Sequence, residues 1–305
     1  MSEQNIRLAV VICTIGRPEC VQPMLGYLRG QTRRPDRIVF AVTRSEDVGI
    51  DPGGEATLGS DVEVVYGPKG LPKQRNVGLD AVSGAYDLLV FFDDDYVPSR
   101  NALAGIEAAF DLWPDVNGMT GDLIADGIHG AGFTAAQAEK MVATYDSHTK
   151  TPTEGRVPVV IRDGLAGLYG CNMAYRVSAL GSARFDEALP LYGWQEDIDF
   201  AAQIPGGRIK TDAFAGVHRG AKSGRETAGR RLGYSQLANT WYLVRKGTMK
   251  PRFALRLGVR NFAANHIKML RPEPWVDRKG RARGNWLALW DIMRGRADPG
   301  RILDL

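Results

Sequence analysis

The chain has 305 residues, 44% of them hydrophobic and 24% charged, enough to bury a sizeable core as one large α/β domain or a domain with an appendage. Its net charge of +4 conceals a division: residues 206–305 carry 22 Lys/Arg against 7 Asp/Glu, whereas residues 1–205 carry 17 against 28. The first residues lack the basic start and apolar stretch of a secretory signal, and no run approaches the roughly eighteen apolar residues of a membrane span, so the expectation is a cytoplasmic chain. Its three cysteines, Cys13, Cys20 and Cys171, show no metal-ligand spacing, which argues for reduced thiols and against a disulfide framework or a zinc site.

Taken in order, Leu8 to Cys13 reads as a buried strand and Thr14-Ile15-Gly16-Arg17-Pro18 as the loop leaving it. Pro18 suits the first turn of a helix ending near Arg29. Arg37 to Val42 and Val62 to Tyr66 are further strands, separated by a Gly- and Asp-rich surface loop over 49–60. Gly67-Pro68-Lys69-Gly70 then leads into Lys73, Arg75 and Asn76. At a helix start these could offer cations and backbone N–H groups to a diphosphate; the alternative is an ordinary solvated turn.

The next stretch dominates the pattern. Leu88-Leu89-Val90-Phe91-Phe92 is wholly apolar and stops in Asp93-Asp94-Asp95. Such a run suits a strand buried on both faces of a parallel sheet, and ligand crevices of open α/β sheets lie at carboxyl-terminal strand ends. Carboxylates so crowded raise one another's pKa unless a cation neutralises them, and Mg²⁺ or Mn²⁺ is the natural choice. A solvated acidic turn capping a helix near Ser99 is the competing interpretation.

Beyond the acids, residues 101–113 have helical apolar spacing, and 164–176 read as a glycine-rich approach to a strand that carries Asn172. Tyr192-Gly193-Trp194-Gln195-Glu196-Asp197-Ile198-Asp199 sets an aromatic ring and three carboxylates at a helix start, where one acid could simply cap it. His218 follows a short strand over 211–215, and a lone histidine is more often a structural hydrogen-bonder than a ligand. From residue 226 the pattern is helical and basic, with Arg252, Arg256 and Arg260 in an i, i+4 row and Trp275, Trp286 and Trp290 beyond. Such segments can lie on an anionic membrane surface or pack on a neighbouring domain with the basic face outward. The expected organisation is a catalytic region over 1–225 and a helical extension over 226–305.

These residues resemble the inverting GT-A glycosyltransferases of family 2, which build bacterial polysaccharides. Asp93-Asp94-Asp95 is similar to the family's DxD motif, Gln74-Arg75-Asn76-Val77-Gly78 to its Ala-Arg-Asn-x-Gly segment, Gly170-Cys171-Asn172 to the element before the acceptor site, and Glu196-Asp197 to its Glu-Asp motif. The resemblance implies a Rossmann-like nucleotide-diphospho-sugar transferase fold, a mixed sheet flanked by helices with a C-terminal helical extension. It further implies that Thr14, Arg17, Lys73, Arg75, Asn76, Asp93 and Asp94 bind the nucleotide-sugar donor, that Asp95 and His218 hold Mn²⁺ or Mg²⁺, and that Asn172 and Trp194 meet the acceptor. Asp197 would be the general base, with Glu196 in reserve. The acceptor would be a glycan or lipid-linked oligosaccharide. Relatives carry an Asp after the second strand that reads the base, whereas this chain has Val42-Thr43-Arg44, so the nucleotide is left open with UDP the commonest in the family.

Other classes fit less of the chain. A haloacid-dehalogenase-like phosphohydrolase also ends a strand in Asp-x-Asp, but Leu123-Ile124-Ala125 lacks the Ser or Thr it needs. Sugar-nucleotide pyrophosphorylases open with a glycine-rich basic loop that Cys13 to Pro18 does not resemble. A nucleic-acid binder could use the basic tail, yet the acidic first part would repel the phosphate backbone.

Overall fold

The computed structural model describes residues 6–150, 155–220 and 228–305. These fall into two compact units: one of Met1–Lys69, Lys73–Arg184 and Ile204–Ala221, the other of Gly70–Pro72, Phe185–Gln203 and Lys222–Leu305. The boundary expected at 225/226 lies outside the described residues.

The first unit is built on a nine-stranded mixed sheet. Strands β1 (Leu8–Cys13), β2 (Arg37–Val42), β3 (Val62–Tyr66) and β4 (Leu88–Asp93) run parallel in the order β3-β2-β1-β4. On its far side β4 pairs antiparallel with β8 (Asn172–Arg176), so the apolar run is not in an all-parallel sheet as its composition suggests. It is nonetheless buried throughout, because β1 and β8 cover its edges and helices its faces. The sheet continues through β6 (Val116–Asp126) and β9 (Gly207–His218) to the short β5 (Tyr96–Pro98), with β7 (Val160–Arg162) also pairing with β9.

Helices α1 (Val21–Arg29), α2 (Leu71–Val82), α3 (Ala102–Leu112) and α4 (Ala135–His148) connect these strands. Pro18 opens a single 3-10 turn, and α1 proper starts three residues later. Amphipathic spacing explains α1 and α3, whose Met24, Leu25, Leu28, Leu103, Ile106 and Phe110 enter the main core. Gly78 lets α2 approach β1: a Cβ there would stand 2.4 Å from Val11 Cγ1, a stiff branched side chain in the core.

The second unit is helical, with α5 (Glu196–Ala202), α6 (Gly229–Lys246), α7 (Pro251–Lys268) and α8 (Arg278–Met293). Gly233 and Gly284 bring α6 and α8 together, since a Cβ at either would meet a carbonyl oxygen of the facing helix at about 2 Å, Arg281 and Arg230 respectively. Between α6, α7 and α8, Asn265 Nδ2 donates to Gln236 Oε1 (2.7 Å) and Asn285 Oδ1 (2.9 Å), and Asn285 Nδ2 donates to the Gly233 carbonyl. Buried amides so matched fix the helices in one register. No described helix is long and apolar enough to cross a membrane.

Lys246, at the end of α6, ties α6 to α5 within this unit. Its ammonium donates to Asp186 Oδ2 (2.6 Å) and to Asp199 Oδ2 (2.8 Å), while Thr248 Oγ1 donates to Asp199 Oδ1. Burial alone would raise the Asp186 pKa, but the hydrogen bonds from Lys246 and Tyr242 hold it below the usual carboxylate range. The same acids raise Lys246 above its ordinary value against the opposing effect of burial. A depressed acid stabilises above its unfolded pKa and loses that contribution as pH falls through its folded pKa; a raised lysine stabilises below its unfolded pKa and loses it as pH rises through the folded one. The cluster therefore stabilises from about pH 4 to about pH 10. Lys246→Ala should cost about 3 kcal/mol at neutral pH by leaving Asp199 buried without its cation, and should flatten the acid limb of stability against pH; a urea melt that matches the wild type at pH 7 would refute this.

Candidate functional site

Strand pairing gathers the site in the first unit. Cys13 stands in register with Asp93, so the loop leaving β1 lies beside the acids. Tyr96 pairs with His218 across β5 and β9, and His218 pairs on its other side with Asp126 at the end of β6. The Arg219 backbone N–H donates to the Asp95 carbonyl, which closes the corner.

Each acid lies beside a cationic group, and Arg17 reaches two of them, its Nη1 standing 3.9 Å from Asp95 Oδ2. Asp93 Oδ1 receives Arg75 Nη2 at 3.2 Å, and the same nitrogen donates to the Gly170 carbonyl at 2.8 Å; the Arg75 side chain is only 2% exposed. Asp94 accepts from Thr14 Oγ1 at 2.7 Å and pairs with Arg17 at 2.7 Å. Burial pushes Asp94 up to about 7 against the pull of Arg17, with Asp95 adding to the rise. Asp95 Oδ1 faces His218 Nε2 at 3.5 Å.

The His218 ring is oriented from behind. Nδ1 lies 2.9 Å from Asp126 Oδ1, and Tyr169 donates its hydroxyl to the other oxygen of Asp126 while presenting its ring to the imidazole edge-on. Burial would lower the His218 pKa, but the hydrogen bonds to Asp126 and Asp95 outweigh it and raise the value to about 10. Nδ1 engaged by a carboxylate leaves Nε2 as the ligating atom, as in carboxylate–histidine–metal arrangements. Asp93, Asp95 and His218 each offer a ligand atom, all within 4.8 Å of one another. Two carboxylates and an imidazole fit a divalent ion such as Mn²⁺ or Mg²⁺.

Among the remaining residues singled out in the sequence, Lys73 lies half-buried in the first turn of α2 and Asn76 is buried one turn further on. Asn172 is fully buried: its Oδ1 accepts from Thr120 and its Nδ2 donates to the Tyr96 hydroxyl. That amide holds three strands together inside the sheet. Glu196, Asp197 and Trp194 belong to the second unit. Glu196 and Asp199 are buried, whereas Asp197 is half-exposed with Oδ1 accepting from the Ile198 N–H. The Trp194 carbonyl accepts from Asn239.

Sequence reasoning missed Asp126, Tyr169 and Asp47, and quoted Gln74 in a motif without reading its role. Gln74 bridges the Thr14 and Ala41 carbonyls, each at 2.9 Å, and so joins β1, β2 and α2. Asp47 accepts from the Gly16 N–H and from the Thr43 N–H and hydroxyl, which clamps the Arg17 loop to the end of β2. An Asp placed five residues after a strand in a loop, 45–48, that also carries Glu46 gives little signal of this.

Metal binding must displace the proton on His218 Nε2, so affinity should rise with pH and buffer should take up a proton on binding. Asp126→Asn should weaken Mn²⁺ binding about 10- to 100-fold in a calorimetric titration. An unchanged affinity would remove Asp126 from the site.

No protein-family model matches the chain, and a search of curated proteins finds no relative. Solved structures do match. S. aureus TarS 1–349 superposes with a TM-score of 0.58 over 97% of this chain and 82% of its own, at 14% identity; in complex with UDP-GlcNAc the figures are 0.59, 97%, 83% and 14%. The mannosyltransferase PcManGT from Pyrobaculum calidifontis, in complex with GDP-Man and Mn²⁺, gives 0.54 over 97% and 85%, at 16% identity. At these identities the likeness speaks for the architecture: the chain has the GT-A nucleotide-sugar transferase fold.

Proposed function

We propose that the chain is an inverting, metal-dependent glycosyltransferase of family 2. It moves a sugar from a nucleoside-diphosphate sugar, a UDP-sugar in the first instance, to a hydroxyl of a glycan or lipid-linked oligosaccharide in polysaccharide biosynthesis. The supporting observation is the Asp93, Asp95 and His218 group, with its ligand atoms converging at the carboxyl end of β4, in this fold. Residues 1–225 would carry catalysis and 226–305 the extension. The likeness to sugar-nucleotide transferase structures supports this reading over the phosphohydrolase alternative, and the acidic first 205 residues disfavour nucleic acid.

Asp93, Asp95 and His218 would hold a Mn²⁺ or Mg²⁺ ion, which when bound would supply Lewis-acid stabilisation of the departing diphosphate. The chain's own groups do the rest. Arg75 and Arg17 hold Asp93 and Asp94 in fixed rotamers, which keeps the acids from splaying apart when a ligand arrives. Lys73 and Arg17 offer positive charge to the phosphates, and Thr14, Asn76 and Asp94 line the nucleotide side. Asp197 takes the proton of the acceptor hydroxyl as its oxygen bonds to the anomeric carbon. The bond to the diphosphate breaks on the opposite face, and configuration inverts. Asp197 is favoured over Glu196 and Asp199 because it alone of the three is not buried, and Asp199 is held by Lys246 and Thr248. Trp194 and Asn172 are assigned to the acceptor side, Asn172 through the strand it pins.

The neighbours' UDP-GlcNAc and GDP-Man define the test. In a panel of UDP-, GDP- and dTDP-sugars, at least one should raise the melting temperature in the presence of Mn²⁺ and not in EDTA, because a ligand of the native state stabilises it. No stabilisation by any donor would sink the reading. With the donor found, Asp197→Asn should lower transfer on the order of 10²–10⁴-fold and leave donor stabilisation intact; near-normal transfer by Asp197→Asn with loss in Glu196→Gln would reverse the two roles.

A further inference from the structure

Helices α6, α7 and α8 enclose an open groove of about 450 Å³, lined by Leu237, Trp241, Leu255, Val259, Phe262 and Ile292 among others, with Thr240 the only polar side chain in its lining. The outer face of α7 continues the groove into solvent. Leu255 is 69% exposed, Val259 59% and Ile267 69%, and they alternate around the helix with the exposed Arg252, Arg256 and Arg260. On α8, Trp286 and Trp290 are exposed one turn apart, and Arg294 stacks over the Trp290 ring at 3.9 Å.

Exposed aliphatic and indole groups in such density are costly in water and mark a contact surface. The exposed charge carried by the three helices themselves has one sign, with Glu273 between α7 and α8 engaged by Lys268 and Arg278. Across α6, α7 and α8 there is a single carboxylate, Asp291, and it is buried against Tyr234 and Arg301. A two-fold contact between copies would set one arginine row against the other. A nucleic-acid backbone would meet the arginines and leave Leu255, Val259 and Ile267 without a partner. Anionic lipid satisfies both features, because headgroup phosphates take the guanidinium groups while the apolar side chains and indoles enter the upper acyl region.

We propose that the α6–α7–α8 face docks on an anionic phospholipid bilayer, with Arg252, Arg256 and Arg260 at the headgroups and Leu255, Val259 and the groove they border receiving acyl chain. This sharpens the sequence expectation of a basic, amphipathic C-terminal region into one face with named contacts. It stands independently of the reading of the acid cluster.

The test is co-sedimentation of the full chain with phosphatidylcholine vesicles, with and without about 30% phosphatidylglycerol. Binding is expected to the anionic vesicles alone. Arg252→Glu/Arg256→Glu/Arg260→Glu should lower it on the order of 100-fold, and Leu255→Ser/Val259→Ser roughly tenfold. These positions are exposed, so unchanged circular dichroism and melting temperature should accompany both losses. The proposal is overturned by absence of binding to anionic vesicles, or by binding that survives both sets of substitutions. A concentration-dependent dimer in lipid-free buffer that Leu255→Ser/Val259→Ser dissolves would overturn it too, by assigning the groove to a second copy.

Discussion

Three carboxylates at the tip of a fully buried strand cannot share so small a volume without cations, and the first unit is arranged around supplying them. Asp93 has Arg75, Asp94 has Arg17, and Asp95 has the imidazole of His218. Each cation comes from a different element: α2, the loop after β1, and the end of β9. Ion pairs in which one partner is buried seldom stabilise a fold much relative to apolar packing, because desolvation offsets their attraction, but losing the other partner leaves a buried charge exposed to that cost. Their presence therefore speaks for a task at this tip beyond holding the sheet together.

The three pairs differ in what a ligand could displace. Arg75 is buried and doubly engaged by Asp93 and the Gly170 carbonyl, so it is a fixed part of the wall. Arg17 lies on a loop and is partly exposed, and that loop is itself held by the Asp47 carboxylate. His218 contributes only a proton to its contact with Asp95. A divalent ion arriving at this pair would compete with that proton, whereas at Asp93 and Asp94 it would compete with an arginine.

Much of this layout was legible in the sequence, and the remainder was not for identifiable reasons. An apolar run of five residues that ends in acids announces both a buried strand and its functional end, and β4 formed as expected. The segment from Gln74 to Gly78 was legible as a motif but not in its division of labour: Gln74 joins two strands, Arg75 neutralises an acid and Gly78 admits Val11. Strand β6 was hidden because Gly118 and Gly121 interrupt its apolar alternation. A Cβ at Gly118 would stand 3.1 Å from the Tyr175 ring, and one at Gly121 would stand 2.5 Å from the Phe214 carbonyl. With β6 hidden, Asp126 was hidden too, since its contact with His218 spans 92 residues of sequence and arises only from the β6–β9 register. Asn172 was legible through the likeness of Gly170-Cys171-Asn172 to a family element, but the bonds of its amide to Thr120 and Tyr96 inside the sheet were not, because they span 52 and 76 residues of sequence.

The uneven charge of the chain bears on the same question. The first 205 residues are net acidic, and an approaching diphosphate would be repelled if summed charge decided the matter. At physiological ionic strength the Debye length is about 8 Å, so acids elsewhere on that region are largely screened from the tip of β4. What a phosphate meets there is set by groups within a few ångströms: two guanidinium groups already committed to carboxylates, and a histidine whose Nε2 faces Asp95. In that setting the local positive balance depends on a cation occupying the Asp93, Asp95 and His218 group, and affinity for anionic ligands should follow metal occupancy rather than the net charge of the chain.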